Sequence, residues 1–116
     1  MTVLLAANVI AALISAGSSV AGALRPGIAL AHSEPVTAGT ALYARAYAAR
    51  AVPLGLATAG VLLTGARAAA WPMLVVAGLA QIGDSAIGAR QRNRGMALGA
   101  GAFAVLHLAS AAWLAR

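Results

Sequence analysis

Apolar residues run through this chain in four long blocks, separated by short groups of Arg, Pro, Gly and Asn. About 20 mainly apolar residues suffice for a helix to cross the hydrocarbon core of a bilayer. The blocks at residues 3–24, 41–63, 68–88 and 96–114 each reach that length. Arg25-Pro26-Gly27 ends the first, Gly65 and Arg67 end the second, and the run from Arg90 to Gly95 ends the third. Pro and Gly stop helices, and Arg marks the boundary with polar surroundings. The pattern predicts an all-α protein: an integral membrane four-helix transmembrane bundle, with residues 1–116 as a single transmembrane domain. Trp71 and Trp113 fall near helix ends, where indoles favour the membrane interface. The first block carries Ala21-Gly22-Ala23, which looks like a signal-peptide cleavage site. It lacks a basic leading region and its apolar run is too long, so a retained helix is expected.

The one long connection, residues 25–40, holds His32, Ser33, Glu34 and Pro35 among apolar residues. It reads as an interfacial segment able to act as a lid. No GxGxxG, phosphate-binding P-loop, HExxH or hydrolase-elbow motif occurs. Gly95 and Gly99 form one GxxxG, whose ordinary use is close helix packing.

Polar residues inside the apolar blocks carry the chemical information. In hydrocarbon each needs a partner or a wet cavity, and an ionisable one is a candidate functional residue. Helix one has Asn8, Ser15 and Ser19 on roughly one face; helix two has Tyr43, Tyr47 and Arg50 at i, i+4 and i+7, with Arg45 nearby. Helix three has Gln81, Asp84 and Ser85, and helix four has His107 and Ser110 below Phe103. Each helix thus has one mildly polar face to turn inward. Antiparallel packing puts Arg50 and Asp84 at similar depth, and Asp84 is the only acid in any block. An Arg50–Asp84 pair is therefore expected, with Arg45 as a second cation. Removing Asp84 would then leave a buried cation unpaired, at a cost of up to several kcal/mol.

Two readings of the pair stay open: an ion pair that fixes helix packing, and a catalytic pair. In the second, Tyr43, Tyr47, Gln81, Arg45, Glu34 and His107 complete a ligand site. His107 standing alone reads more simply as a hydrogen-bonded packing residue, the tyrosines as interface aromatics, and the serines as packing groups. The crowded polar groups, with Pro53 loosening helix two and Gly78, Gly83 and Gly88 leaving room on helix three, predict a cavity at that depth opening toward residues 25–40.

Composition supports the membrane reading. The chain is 62% hydrophobic and 9% charged, with a mean hydropathy of +0.89, whereas soluble domains carry about 25% charged residues. The absence of Cys excludes disulfides and thiolate chemistry, and no metal-ligand cluster appears. All eight basic residues are Arg. They flank the apolar blocks instead of forming one patch, which argues for lipid phosphates and against nucleic acid. Arg25, Arg90, Arg92 and Arg94, with Arg45 close by, fall on one side, and Arg67 and Arg116 on the other. The positive-inside rule then places residues 25–40 and 89–95 in the cytoplasm and both termini outside, in a multi-pass protein of the cell membrane.

From Arg45 to about Trp113 the order of features resembles a family of small four-helix membrane proteins of unknown function, catalogued as domain of unknown function 4267. The pieces are Arg45-Ala46-Tyr47-Ala48-Ala49-Arg50, then Gly55-Leu56, then Gln81-Ile82-Gly83-Asp84-Ser85-Ala86. Arg50 and Asp84 match the family pattern, while Ala51 stands where that pattern has Asp. The resemblance implies the fold and the membrane, and no activity.

Three functions compete. The first is a site that binds a lipophilic small molecule and isomerises, cyclises or hydrolyses it without a cofactor: Asp84 serves as general acid or base and Arg50 stabilises negative charge. The second is a proton-coupled exporter similar to the small multidrug resistance family. Those proteins carry an essential Glu in the first helix, where this chain has only Asn8. The third is an accessory subunit whose Gly/Ala faces meet another membrane protein, faces that would equally allow a homo-oligomer.

Overall fold

The computed structural model describes residues 2–30 and 34–116. It contains α1 (Thr2–Leu24), a short 3-10 turn (Pro26–Ala29), α2 (Ala38–Leu63), α3 (Arg67–Arg90) and α4 (Arg94–Leu114), and no strand among the described residues. The shortest helix has 21 residues and the longest 26, or about 31 to 39 Å at 1.5 Å per residue. All four are long and apolar enough to cross a membrane.

Each boundary has a local cause. α2 begins three residues before the expected start because the Thr37 hydroxyl caps it, accepting from the Thr40 amide at 3.1 Å. Asn93 caps α4 in the same way through Met96 N–H at 3.0 Å. The α3–α4 turn closes with Asn93 N–H on Gly88 C=O and Arg92 N–H on Ala89 C=O, which lengthens α3 to Arg90. Arg92 takes the left-handed conformation there, at φ 56°. Gly65, at φ 71°, makes the α2–α3 turn. α2 runs through Pro53 without interruption.

The helices pair as two antiparallel hairpins, α1 with α2 and α3 with α4, and the hairpins meet more sparingly. Inside each hairpin the backbones nearly touch. A Cβ on Gly55 would lie 2.7 Å from the Ala12 carbonyl oxygen of α1, and one on Gly88 would lie 2.6 Å from the Ala97 nitrogen of α4. Gly78 and Gly88 therefore do not leave volume for a cavity, as the sequence suggested, because α4 already occupies it. Gly83 and Gly99 face open space, and Gly95 meets only its own cap residue, so the GxxxG makes no helix contact in the bundle.

The distribution of side chains is inverted relative to a water-soluble bundle. Ile10, Leu13, Leu56, Val76, Leu79, Leu98 and Val105 face outward. The interior holds Asn8, Thr58, Gln81, Asp84, His107 and Ser110 among alanines. Among the described residues an aliphatic core lies at one end, where Leu74 is enclosed by Leu62, Ala70, Ala111 and Leu114. Arg67 closes that end, its Nε donating to the Leu114 carbonyl of α4 at 2.8 Å.

Gly55→Ala is expected to destabilise the purified protein by about 1–3 kcal/mol through overpacking. Gly17→Ala, at a position with nothing within 4 Å, should leave stability unchanged or raise it slightly. Thermal unfolding of both variants in one detergent is the check, and equal shifts would refute the close α1–α2 approach.

Candidate functional site

The polar residues collect into three groups stacked along the bundle. Nearest the end where α2 starts, the Asp84 carboxylate is buried and accepts a hydrogen bond from the Tyr47 hydroxyl at 2.7 Å. Arg50 Nη2 lies 3.7 Å from the other carboxylate oxygen. Arg50 and Asp84 are not equally enclosed: the Arg50 side chain is 67% exposed and that of Asp84 only 8%. The guanidinium also sits 5.5 Å from the Tyr47 ring centre, over its face. One turn further out, Tyr43 stacks on Tyr47 with centroids 6.2 Å apart. Tyr47 is thus held between an acid, a cation and a second ring.

Halfway along, Gln81 Nε2 donates to Ser15 Oγ at 2.8 Å, tying α3 to α1. Toward the other end lies a closed triad. Asn8 Nδ2 donates to the Leu4 carbonyl and to Ser110 Oγ, both at 2.8 Å. A carbonyl can only accept, so the amide nitrogen of Asn8 must face it. Asn8 Oδ1 is then the acceptor for His107 Nδ1, 2.7 Å away, and the imidazole carries its proton on Nδ1.

A cavity of about 20 Å³ runs between these groups. That is room for roughly one water-sized group. Asp84, Gln81, Ser15, Thr58 and His107 form its polar wall, and the exposed Arg50 marks its outer end. Most of the remaining lining comes from α2 and α3, at the join between the hairpins.

This geometry gathers some expected site residues and separates others. Asp84, Arg50, Tyr47 and Gln81 come together, and His107 reaches the same cavity from the opposite side. His107 does not stand alone, since Asn8 and Ser110 enclose it. Tyr43 and Arg45 are exposed and line no part of the cavity. Glu34 is exposed in the connection. No described residue of residues 25–40 lines the cavity, which extends toward mid-bundle and not toward a lid. His32 and Ser33, expected to belong to that lid, lie outside the described residues. Thr58 went unnoticed because a Thr that bonds its own helix, here the Leu54 carbonyl at 2.8 Å, looks like any apolar β-branched residue. Its spacing three residues after Gly55 was the available signal. Among the described residues no His, Cys, Asp or Glu cluster could hold a metal ion.

Comparison with protein-family models, with curated proteins and with solved structures finds no match for this chain.

The exposure of Arg50 revises the expected cost of losing Asp84. A cation that can reach polar surroundings loses little when its partner goes, about 0–1 kcal/mol for an exposed pair. Asn8→Leu instead leaves the His107 N–H and the Ser110 hydroxyl without partners in the interior, at about 1–3 kcal/mol for each buried group. Thermal unfolding should show Asn8→Leu far below Asp84→Asn; the reverse order would make the ion pair the mainstay of the bundle.

Proposed function

We propose that the chain is an integral membrane protein that crosses the bilayer four times and binds a lipophilic small molecule at Asp84. The membrane reading is supported by the inverted side-chain distribution, with aliphatic residues outside and hydrogen-bonded polar groups inside. Hydrocarbon favours such an arrangement and water penalises it. The single observation that carries the binding role is the placement of Asp84. It is one of two acids in the chain, and it is buried against Tyr47 at the wall of a cavity whose outer end is an exposed Arg50.

The size of the cavity defines how such a molecule is held. Only its polar head fits inside, and its apolar body stays in the lipid beside α2 and α3. The groups that meet the head can also act on it. Asp84 can take up or return a proton, and Arg50 can stabilise developing negative charge. These are the two roles that a cofactor-independent isomerisation, cyclisation or hydrolysis of the bound molecule would draw on.

Photolabelling tests the binding role. In lipid nanodiscs, a diazirine probe with a polar head and a long alkyl chain should label α2 and α3 beside Arg50, at Ala51, Leu54 and Ala80, and Asp84→Asn should reduce that labelling. Labelling spread evenly over the outward Leu and Ile positions would overturn it.

The orientation proposed from the Arg residues places residues 25–40 and 89–95 in the cytoplasm and both termini outside, in the cell membrane. Arg25, Arg90, Arg92 and Arg94 stand at one end of the bundle, and Arg67 and Arg116 at the other. A C-terminal alkaline phosphatase fusion should be active and a C-terminal green fluorescent protein dark; a fluorescent fusion would reverse the assignment.

A further inference from the structure

The hydrogen-bonding character of the cavity wall identifies the chemical class of the head group. Asp84 offers carboxylate oxygens and no donor. Thr58 has spent its hydroxyl proton on the Leu54 carbonyl, so only its lone pairs remain. His107 holds its proton on Nδ1, facing Asn8, and Nε2 therefore presents a lone pair. The ring's one side-chain hydrogen bond among the described residues is at Nδ1, and His107 lines the cavity. Ser15 Oγ accepts from Gln81, leaving one hydroxyl hydrogen as a donor. Gln81 adds its Oε1 as an acceptor and its second Nε2 hydrogen as a donor. Four acceptor side chains thus face two free donors inside about 20 Å³, with the Arg50 guanidinium at the outer end. A carboxylate or phosphate oxygen placed there would meet more acceptors than donors, Asp84 with its negative charge among them.

We propose that the cavity receives the protonated primary amine of a lipophilic ligand. The proposal rests on the binding role assigned to Asp84 above and adds its specificity. An ammonium carries three donors and no acceptor, which complements Asp84, Thr58 and His107, and it is about the size of the one water the cavity can hold. The cation replaces Arg50 as the partner of Asp84. Arg50 is free to leave, because its side chain is two-thirds exposed and lies 3.7 Å from the carboxylate, longer than a close hydrogen bond. In a bilayer its guanidinium would move outward to lipid phosphate. His107, which the Arg50–Asp84 pair does not use, becomes the inner acceptor for the head group, positioned by Asn8.

Competition against the photolabel tests this with three probes of equal chain length: dodecylamine, dodecanol and dodecanoate, compared at equal mole fraction in zwitterionic nanodiscs at neutral pH. Dodecylamine is expected to displace the label at a mole fraction at least about tenfold below the other two, a factor of the size one charge-assisted contact supplies. Thr58→Val keeps the shape and breaks only a bond within α2, so it should fold; it is expected to weaken dodecylamine several-fold and leave dodecanol unchanged. Asp84→Asn should abolish the preference for the amine. If dodecanoate displaces the label as well as dodecylamine does, the amine specificity is wrong and the lipophilic site stands. If the label reaches the site and the amine preference survives Thr58→Val undiminished, the cavity does not hold the head group. If no probe labels or competes there, the binding role itself fails, and the amine with it.

Discussion

The two helical hairpins are joined by polar side chains along most of their length and by aliphatic packing at one end, where Leu62 of α2 meets Leu74 of α3. Within each hairpin, glycine and alanine bring the backbones together at Gly55 and at Gly88. Between the hairpins the bonds run from Tyr47 to Asp84, from Gln81 to Ser15, and from Asn8 to Ser110 and His107. Such bonds are directional and set register, but each contributes little; measured interhelical cases in a bilayer average about 0.6 kcal/mol. They also hold helices at side-chain distance. The small cavity is what that spacing leaves when alanines line the rest of the join.

The polar groups at the two ends behave differently because one is complete and the other is not. Asn8 satisfies itself, Ser110, His107 Nδ1 and a backbone carbonyl in one closed arrangement. Asp84 has a short bond from Tyr47 and only a loose, outward-reaching cation. A buried carboxylate whose counter-ion is mostly outside is chemically available, whereas a closed amide–imidazole–hydroxyl set is structural. His107 belongs to both, since its Nδ1 is committed to Asn8 and the residue lines the cavity.

Much of this was legible in the sequence for a simple reason: four apolar blocks separated by Arg, Pro and Gly leave few choices of element. The polar faces could be read from helical spacing, and antiparallel packing then brought Arg50 and Asp84 to similar depth. Three things could not. Capping by Thr37 and Asn93 moved helix starts outward, since a cap is recognised only once its helix is known. The fate of each glycine depended on which neighbour it faced, so Gly78 and Gly88 were filled by α4 while Gly83 was left open. Partners from distant helices were invisible, so Asn8 and His107, 99 positions apart, looked like two isolated residues.

The polar join between hairpins has a consequence for how such a chain is made. During synthesis α1 and α2 emerge together and can close on each other through Ala12, Ala16 and Gly55 before α3 exists. At that moment Asn8, Ser15 and Tyr47 point at an empty place that Ser110, His107, Gln81 and Asp84 will later occupy. If this half-made protein lay in lipid, those groups would lack partners in a solvent that offers none. In that setting the first hairpin would gain from staying in wet surroundings until the second arrives. The same side chains that align the finished bundle would then favour entry of all four helices into lipid as one unit over entry pair by pair.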